Sequence, residues 1–535
     1  MHKRGPKEEP RVVFPFFGKS KEIEIGKTLL HYAQELNIPI NAGCGGLGIC
    51  KECRVRIEKG GESLSKKTKL EEELDEKERL ACQAIVENKK SDLFVEVLFP
   101  GFVDKILTGG KRRKLQIDPL PKRRGNKVFL DGEEIGNYQD GLFGIAADIG
   151  TTTVVLHLIN LEKGNIVYTS AFENPQKKID GNNVISRIKF DSEYPGKLQF
   201  VLISKINEEI NRMPVRKESI YDFVVVGNST MRDLFFGLQV QSLGVSPYKS
   251  ITEKEGKKTS IKVKGETLNL HINKNAIVYS PPLIGSHLGS DALSVCLSCG
   301  LFEEDKKNIM CIDIGTNTEI ILKTEEGIFA TSCAAGSALE PMPALPGAIY
   351  RFGMTNGVFT WETIGEVEPI GICGSGIIDI LGCLIKNGLM DENGYLTKGK
   401  IFKITDKIKI TQSDIKGEKG LLWSKAAISL GIRVLLEEAR ISLDDLDKVY
   451  LAGSFGSFID KENAKIIGLI PDISSKKIVQ VGNAAALGAE EMLLSCEKRE
   501  IVEDWASKIK KIFLEEIPDY GERLILFEQK FKRLR

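Results

Sequence analysis

The sequence predicts a multidomain protein in which a small α+β metal-cluster domain precedes a two-lobed α/β body. Two observations carry that prediction. Cysteines spaced C-x5-C-x2-C-x28-C lie within the first hundred residues, and a strand–turn–strand unit with an aspartate at its turn recurs at an offset of 165 residues. The length agrees, because 535 residues exceed one ordinary domain and suggest two to four folding units. With 75 basic against 74 acidic side chains and 42% apolar residues, the chain has no bulk bias towards nucleic acid or an anionic membrane.

The first ten residues are charged, with no apolar h-region behind them, and no apolar stretch reaches the roughly 18–20 residues needed to span a bilayer. The expectation is a cytoplasmic protein without a membrane partner. Its eleven cysteines then read as thiols and metal ligands rather than a disulfide framework.

Residues 11–25 read as a hairpin around Gly18-Lys19-Ser20, and residues 27–36 as a short helix. The chain then enters a glycine-rich loop holding Cys44, Cys50 and Cys53, and Cys82 follows after a charged stretch read as helical. Three thiolates within ten residues, on glycines that permit tight backbone, can wrap one side of a metal cluster, and the distant Cys82 closes the cage. Zinc accepts four thiolates too, but its sites usually pair two C-x2-C units, and only one lies among these four cysteines. The spacing favours a [2Fe–2S] cluster. Residues 11–98, including Arg79-Leu80-Ala81-Cys82-Gln83, resemble plant- and adrenodoxin-type ferredoxins, with Lys51-Glu52 where many relatives have Gly-Lys. The resemblance implies a β-grasp ferredoxin domain over residues 1–98.

From residue 99 to residue 142 periodicity fades, and Lys111, Arg112, Arg113, Lys114, Lys122, Arg123, Arg124 and Lys127 surround Asp118-Pro119-Leu120-Pro121. This reads as a basic linker: a solvated hinge, or a docking strip for an acidic partner.

The body, residues 143–535, carries the repeat. Phe143 to Leu156 reads strand, turn, strand around Asp148-Ile149-Gly150-Thr151-Thr152, and Ile309 to Ile321 does the same around Asp313-Ile314-Gly315-Thr316-Asn317. Each continues into another turn and a third apolar strand, giving lobes of about 143–305 and 306–535 with a cleft between them. In such a turn glycine lets amides and hydroxyls face a phosphate, while the aspartate stands where hydrated Mg²⁺ would sit. Asp148 and Asp313 are the candidate catalytic carboxylates; Gly150, Thr151, Thr152, Gly315, Thr316 and Asn317 are the candidate phosphate contacts. Two further turns follow strands, one with Gly453 and Gly456 and its lobe-one counterpart at Gly227-Asn228-Ser229-Thr230-Met231. Gly227 also fits an ordinary strand–helix connection. Together these segments resemble the actin, sugar-kinase and heat-shock-protein ATPases, which implies a duplicated, ribonuclease H-like fold that binds ATP with Mg²⁺.

The pairing of these two parts resembles the reductive activators of corrinoid proteins. The likeness extends to Asn174-Pro175-Gln176, Asp180-Gly181, Ser186-Arg187-Ile188, Ala334-Ala335-Gly336, Gly371 to Gly376 and Val481-Gly482-Asn483-Ala484-Ala485. It implies ATP-coupled one-electron reduction of cob(II)amide to cob(I)amide in a corrinoid protein partner, fed by an upstream electron donor. Relatives can carry a separate middle domain, for which residues 99–142 leave room only as a reduced module. A shortfall of about 100–200 mV between such a cluster and the cobalt would cost roughly 2–5 kcal/mol, which nucleotide-linked conformational change can supply. None of the five histidines, His2, His31, His157, His271 and His287, stands in a D-x-H-x-x-G pattern, so the corrinoid is expected on the partner. Cys296, Cys299 and Cys311 read as core residues, whereas Cys333 and Cys373 fall in small-residue loops near the expected cleft. Two rival readings remain: an ATP-dependent reductase for another low-potential acceptor, and a ferredoxin-linked binding module without hydrolysis. Both a monomer and a homodimer fit the sequence.

Overall fold

A computed structural model describes residues 9–15, 18–36, 38, 40, 53–72, 74–97, 113, 115–179, 183–253, 259–303, 307–315, 317–336, 338–339, 341–342, 347–418, 420–453 and 458–535. The chain divides into two compact units, one of residues 1–103 with 205–212, the other of residues 104–204 and 213–535.

The first unit holds β1 (Arg11–Phe14), β2 (Lys19–Glu22), α1 (Leu29–Glu35), β3 (Arg54–Lys59), β4 (Glu78–Leu80) and β5 (Leu93–Val97), with sheet order β2-β1-β5-β3-β4. Alternation puts Val12 and Phe14 of β1, Val55 and Ile57 of β3, and Leu93, Val95 and Val97 of β5 in one core. Helix α1 covers that core with Leu29, Leu30, Tyr32 and Ala33, and Thr28 caps it by accepting from the His31 amide at 3.2 Å. The charged stretch before Cys82 is not a helix. It makes two 3-10 turns and then β4, because Glu71 turns inward: its Oε1 accepts from Arg79 Nε at 2.9 Å and from the Leu80 amide at 2.8 Å. Removing either partner of such a buried pair would cost about 3–5 kcal/mol.

In the second unit, residues expected to be linker form a meander of β6 (Lys122–Arg124), β7 (Lys127–Leu130) and β8 (Glu133–Asn137). Its strands are too short to show as periodicity, yet β7 buries Val128 and Leu130. The basic side chains are largely used within the chain. Arg113 pairs with Glu303, Lys122 with Asp118 and Lys127 with Glu134, while the Arg123 guanidinium lies 3.6 Å over the Tyr138 ring. Lys111, Arg112 and Lys114 lie outside the described residues. From Leu115 on, the free-hinge expectation is corrected.

Lobe one contains β9 (Phe143–Ile149), β10 (Thr153–Asn160), β11 (Ile166–Glu173), α2 (Val184–Glu193), α3 (Lys197–Arg212), β12 (Ile220–Gly227), α4 (Ser229–Phe236), β13 (Ile261–Lys264), β14 (Ile277–Ser280) and α5 (Ser290–Ser298). Lobe two contains β15 (Ile309–Asp313), β16 (Thr318–Thr324) and β17 (Gly327–Cys333), then a small sheet of β18 (Ala348–Thr355), β19 (Val358–Thr363) and β20 (Gly371–Ile372), then α6 (Gly374–Lys386). A hairpin of β21 (Ile401–Lys403) and β22 (Lys409–Thr411) leads through α7 (Gln412–Lys416) to α8 (Leu421–Glu438), β23 (Lys448–Ala452), α9 (Lys461–Ile467) and β24 (Ile478–Gly482). The chain ends with α10 (Ala484–Leu494), α11 (Cys496–Trp505), β25 (Ile509–Lys511) and α12 (Tyr520–Glu528).

The repeat is deeper than three strands. The sheet orders are β11-β10-β9-β12-β14-β13 and β24-β23-β15-β16-β17-β25, so five strands correspond in order, with β12 and β23 each parallel to the first strand of their lobe.

Helices α10 and α11, assigned by sequence to lobe two, pack on lobe one. Helix α10 is buried on all sides against α5, β9 and β12. Three polar contacts fasten the pair: Asn483 to Asp148, Glu490 to His157, and Arg499 to Asp222. Asp118 bridges to Ser495 at their junction. Only β25 returns to the lobe-two sheet, pairing with β17.

Candidate functional site

Cys53 precedes β3 and Cys82 follows β4. The antiparallel register Arg54↔Leu80 aligns them, and the Ala81 amide donates to Cys53 O at 2.8 Å. Both side chains are buried, are not disulfide-bonded, and hold their sulfurs 3.3 Å apart. A tetrahedral thiolate site with metal–sulfur bonds of about 2.3 Å would place two ligands roughly 3.8 Å apart, so this pair fits two ligands of one metal atom. Cys44 and Cys50 lie outside the described residues.

In the body, parallel β9 and β12 end side by side, and the register pairs Val226 with Asp148. Asp148 closes β9, half-buried, and its Oδ2 accepts from Asn483 Nδ2 at 2.8 Å. Burial pushes Asp148 up to about 6, against the lowering effect of that hydrogen bond and of His157. The turn after it is held from below. Gly150 N donates to Thr153 O at 2.9 Å, Asn174 Nδ2 donates to Gly150 O at 2.8 Å, Arg187 Nη2 to Thr151 O at 2.6 Å, and the Asn174 amide to Thr152 O at 2.7 Å. Asn228 Nδ2 donates to Thr151 Oγ1 at 3.0 Å. Gly227 does join a strand to a helix, and a Cβ there would lie 2.8 Å from Ile149 O.

In lobe two Asp313 ends β15 half-buried and pairs in register with Ala452 of β23. Gly453 follows at φ +81°, and a Cβ on it would come within 2.7 Å of Asp313 Oδ1, so only glycine lets this turn close on the carboxylate. Gly315 and Asn317 occupy the turn after Asp313; Thr316 and Gly456 lie outside the described residues.

Two acids that sequence reading did not single out complete the arrangement. Asp291, in the first turn of α5, is pushed up to about 8 by burial first and then by the charges of Asp148 and Asp313. Glu319 of β16 is buried and held well above the usual carboxylate range by burial and by Asp291 and Asp313, with Ser332 Oγ donating to its Oε1 at 3.1 Å. Both expected aspartates are thus near enough for their charges to act on Asp291. Gly289 permits this, because a Cβ there would strike Gly227 O at 2.3 Å. Asn174, Arg187 and Asn483 lie in runs noted in the sequence without a role. A first-turn aspartate on an otherwise apolar helix was the available signal for Asp291.

Such a set of carboxylates suits a divalent cation, and the Gly150–Thr152 turn suits its phosphate counterpart. A separate cavity of about 330 Å³, lined among others by Arg351, Phe352, Trp361, Asp379 and Asn463, includes none of these residues. Cys296, Cys299, Cys311, Cys333 and Cys373 are all buried, and burial pushes the Cys333 thiol upward, which disfavours a reactive thiolate there.

Comparison with known proteins covers both units. The family model described as a 2Fe-2S iron-sulfur cluster binding domain matches residues 16–87. The RACo middle region matches residues 143–304, and the C-terminal domain of RACo, the ASKHA domain, matches residues 307–529. Residues 99–142 lie outside the three spans. The chain is 30% identical over 566 residues to the corrinoid activation enzyme RamQ of Eubacterium limosum, covering 91% of this chain and 93% of that protein. It is 27% identical over 404 residues to the Co(II) methylated amine-specific corrinoid protein reductase of Methanosarcina barkeri, covering 69% and 73%. A solved structure described as a reductive activator for corrinoid, iron-sulfur protein superposes with a TM-score of 0.70 at 27% identity, over 98% of this chain and 99% of that one.

Proposed function

The chain belongs to the family of corrinoid activation enzymes, and on that premise we propose that it reduces the inactive cob(II)amide of a corrinoid protein to cob(I)amide, coupled to ATP. The observation that carries this reading is the presence in one chain of a buried thiol pair suited to a metal and a carboxylate-lined cleft suited to a magnesium nucleotide. Cys44, Cys50, Cys53 and Cys82 would hold a [2Fe–2S] cluster, with Cys53 and Cys82 on the same iron. That group, when bound, supplies one low-potential electron.

Asp148 and Asp313 are assigned to positioning Mg²⁺ and the attacking water, with Asp291 between them. Gly150, Thr151, Thr152, Gly315, Thr316 and Asn317 contact phosphate, and Gly227, Gly453 and Gly456 shape the nucleotide's surroundings. Asn483 fixes the rotamer of Asp148 and ties it to α10, so a change at the carboxylate reaches the helix pair α10–α11 that fastens to β9, β10 and β12.

The corrinoid belongs to the partner. His157 is engaged by Glu490 at 2.6 Å in the core, which supports that assignment. An upstream electron donor reloads the protein, and either a monomer or a homodimer can operate this way. No described helix is long and apolar enough to cross a membrane. Among the described residues no cysteine is in a disulfide, which supports a reducing, cytoplasmic setting. Anaerobic mixing with a cob(II)amide-loaded corrinoid protein tests the reading: cob(I)amide absorbance should rise only with ATP and a reduced donor. Reduction indifferent to ATP, or restricted to an acceptor without cobalt, would sink it.

A further inference from the structure

Several buried charges in the body have an opposite charge beside them: Asp222 has Arg499, and Asp233 has Arg232. Arg187 does not. Its side chain is wholly buried, and its partners among the described residues are neutral: Thr151 O at 2.6 Å, Gln176 Oε1 at 3.1 Å and Met231 Sδ at 2.9 Å. Its Nε has no partner among the described residues. Burial lowers its pKa to about 10, which still leaves it charged at neutral pH. An isolated buried cation is costly unless an anion joins it.

The backbone shows where that anion would sit. A trans peptide points its C=O and the following N–H in opposite directions. Gly150 O is bound by Asn174 and Thr151 O by Arg187, so the amides of Thr151 and Thr152 are turned away from these two buried side chains. Neither amide donates to a protein group among the described residues. Two neighbouring free amides backed by a buried cation make an anion nest.

We propose that Arg187 is the positioning residue of a phosphate nest formed by the Thr151 and Thr152 amides, and that its missing counter-charge is the phosphate chain of the bound nucleotide. This rests on the nucleotide-binding reading above and deepens it. Phosphate binding completes the electrostatics of lobe one, while the nucleoside end makes no demand on Arg187. The residue therefore selects for phosphate number rather than for adenine. Lysine at this position keeps the charge but loses the planar fork that reaches both Thr151 O and Gln176.

Calorimetry on the full-length protein with its cluster, using ATP, ADP and adenosine, tests this. Arg187→Gln should weaken ATP by about 30-fold and ADP less, with adenosine within about twofold, and Arg187→Lys should weaken ATP by roughly tenfold. Should the glutamine variant fail to fold, Arg187→Lys and the wild type decide: inorganic tripolyphosphate alone should raise the wild-type unfolding temperature, and raise it less in the lysine variant. Equal losses for ATP and adenosine, or no loss for either, overturn the proposal and leave nucleotide binding intact. A wild type that binds neither ATP nor tripolyphosphate overturns both.

Discussion

The two aspartate turns come from one repeated sheet, yet their surroundings have opposite polarity. Across from Asp148 in the antiparallel register stands Val155; across from Asp313 stands Glu319. Beneath the first turn lie Asn174, Asn228 and the cation Arg187. The second has Thr318 Oγ1 donating to Gly315 O at 3.3 Å, with the buried Glu319 beside it. Like charges opposite one another destabilise a sheet, so the lobe-two side is incomplete without protons or a cation, as the lobe-one side is without an anion. Two frames of matching strand order carry side chains of opposite polarity, which suits them to the two halves of the proposed magnesium–phosphate site.

The largest effect should come from removing the carboxylates themselves. Asp313→Ala is expected to lower corrinoid-stimulated ATP hydrolysis by about 100-fold or more while leaving the visible spectrum of the cluster unchanged, and Asp148→Ala should do the same. An Asp148 variant with full turnover would break the two-sided picture and leave the chemistry to lobe two.

The acid cluster should next show itself as a pH dependence. Asp291 has a folded pKa of about 8 against about 3.9 unfolded, so the nucleotide-free folded state holds the extra proton. Its contribution is present below the unfolded pKa and is lost as pH rises through about 8. Asp291→Asn should flatten that decline and stabilise the nucleotide-free body by about 1–3 kcal/mol near pH 8, read from the calorimetric transition of the body. Identical pH profiles for variant and wild type would remove the acidic pole from the comparison.

Smaller effects separate the two scaffolds. Asn228 both binds Thr151 and caps α4 by accepting from the Met231 amide at 3.0 Å, so Asn228→Ala should cost about 1–2 kcal/mol by denaturant titration and weaken ATP binding. Ser332→Ala removes one hydrogen bond to Glu319 and should cost only about 0.5–1 kcal/mol. A reversal of that order would mean that the polar support of lobe two matters more than that of lobe one.

Local spacing made much of this legible. The first three cysteines, the hairpin and helix of the first unit, and both aspartate turns are each written in runs of about fifteen residues or fewer, where side-chain type and period speak directly. The stretch before Cys82 misled because Glu71, charged and set in a helix-like run, is turned inward by Arg79. The meander over residues 122–137 escaped notice because its strands are only three to five residues long and its charges cancel within the chain.

By itself, then, the sequence determined the ligand types, the two turns and the two kinds of domain, since each depends on neighbours along the chain. Only the tertiary structure decided which groups meet. The register of β3 with β4 brings Cys82 to Cys53. The return of α10 and α11 carries Asn483, Glu490 and Arg499 back to lobe one. The close approach at Gly289 brings Asp291 within range of the charges of Asp148 and Asp313. Burial, which no residue announces locally, raises the pKa of Asp148 and Asp291 and lowers that of Arg187, which has only neutral partners among the described residues, because desolvation is a property of everything packed around a side chain.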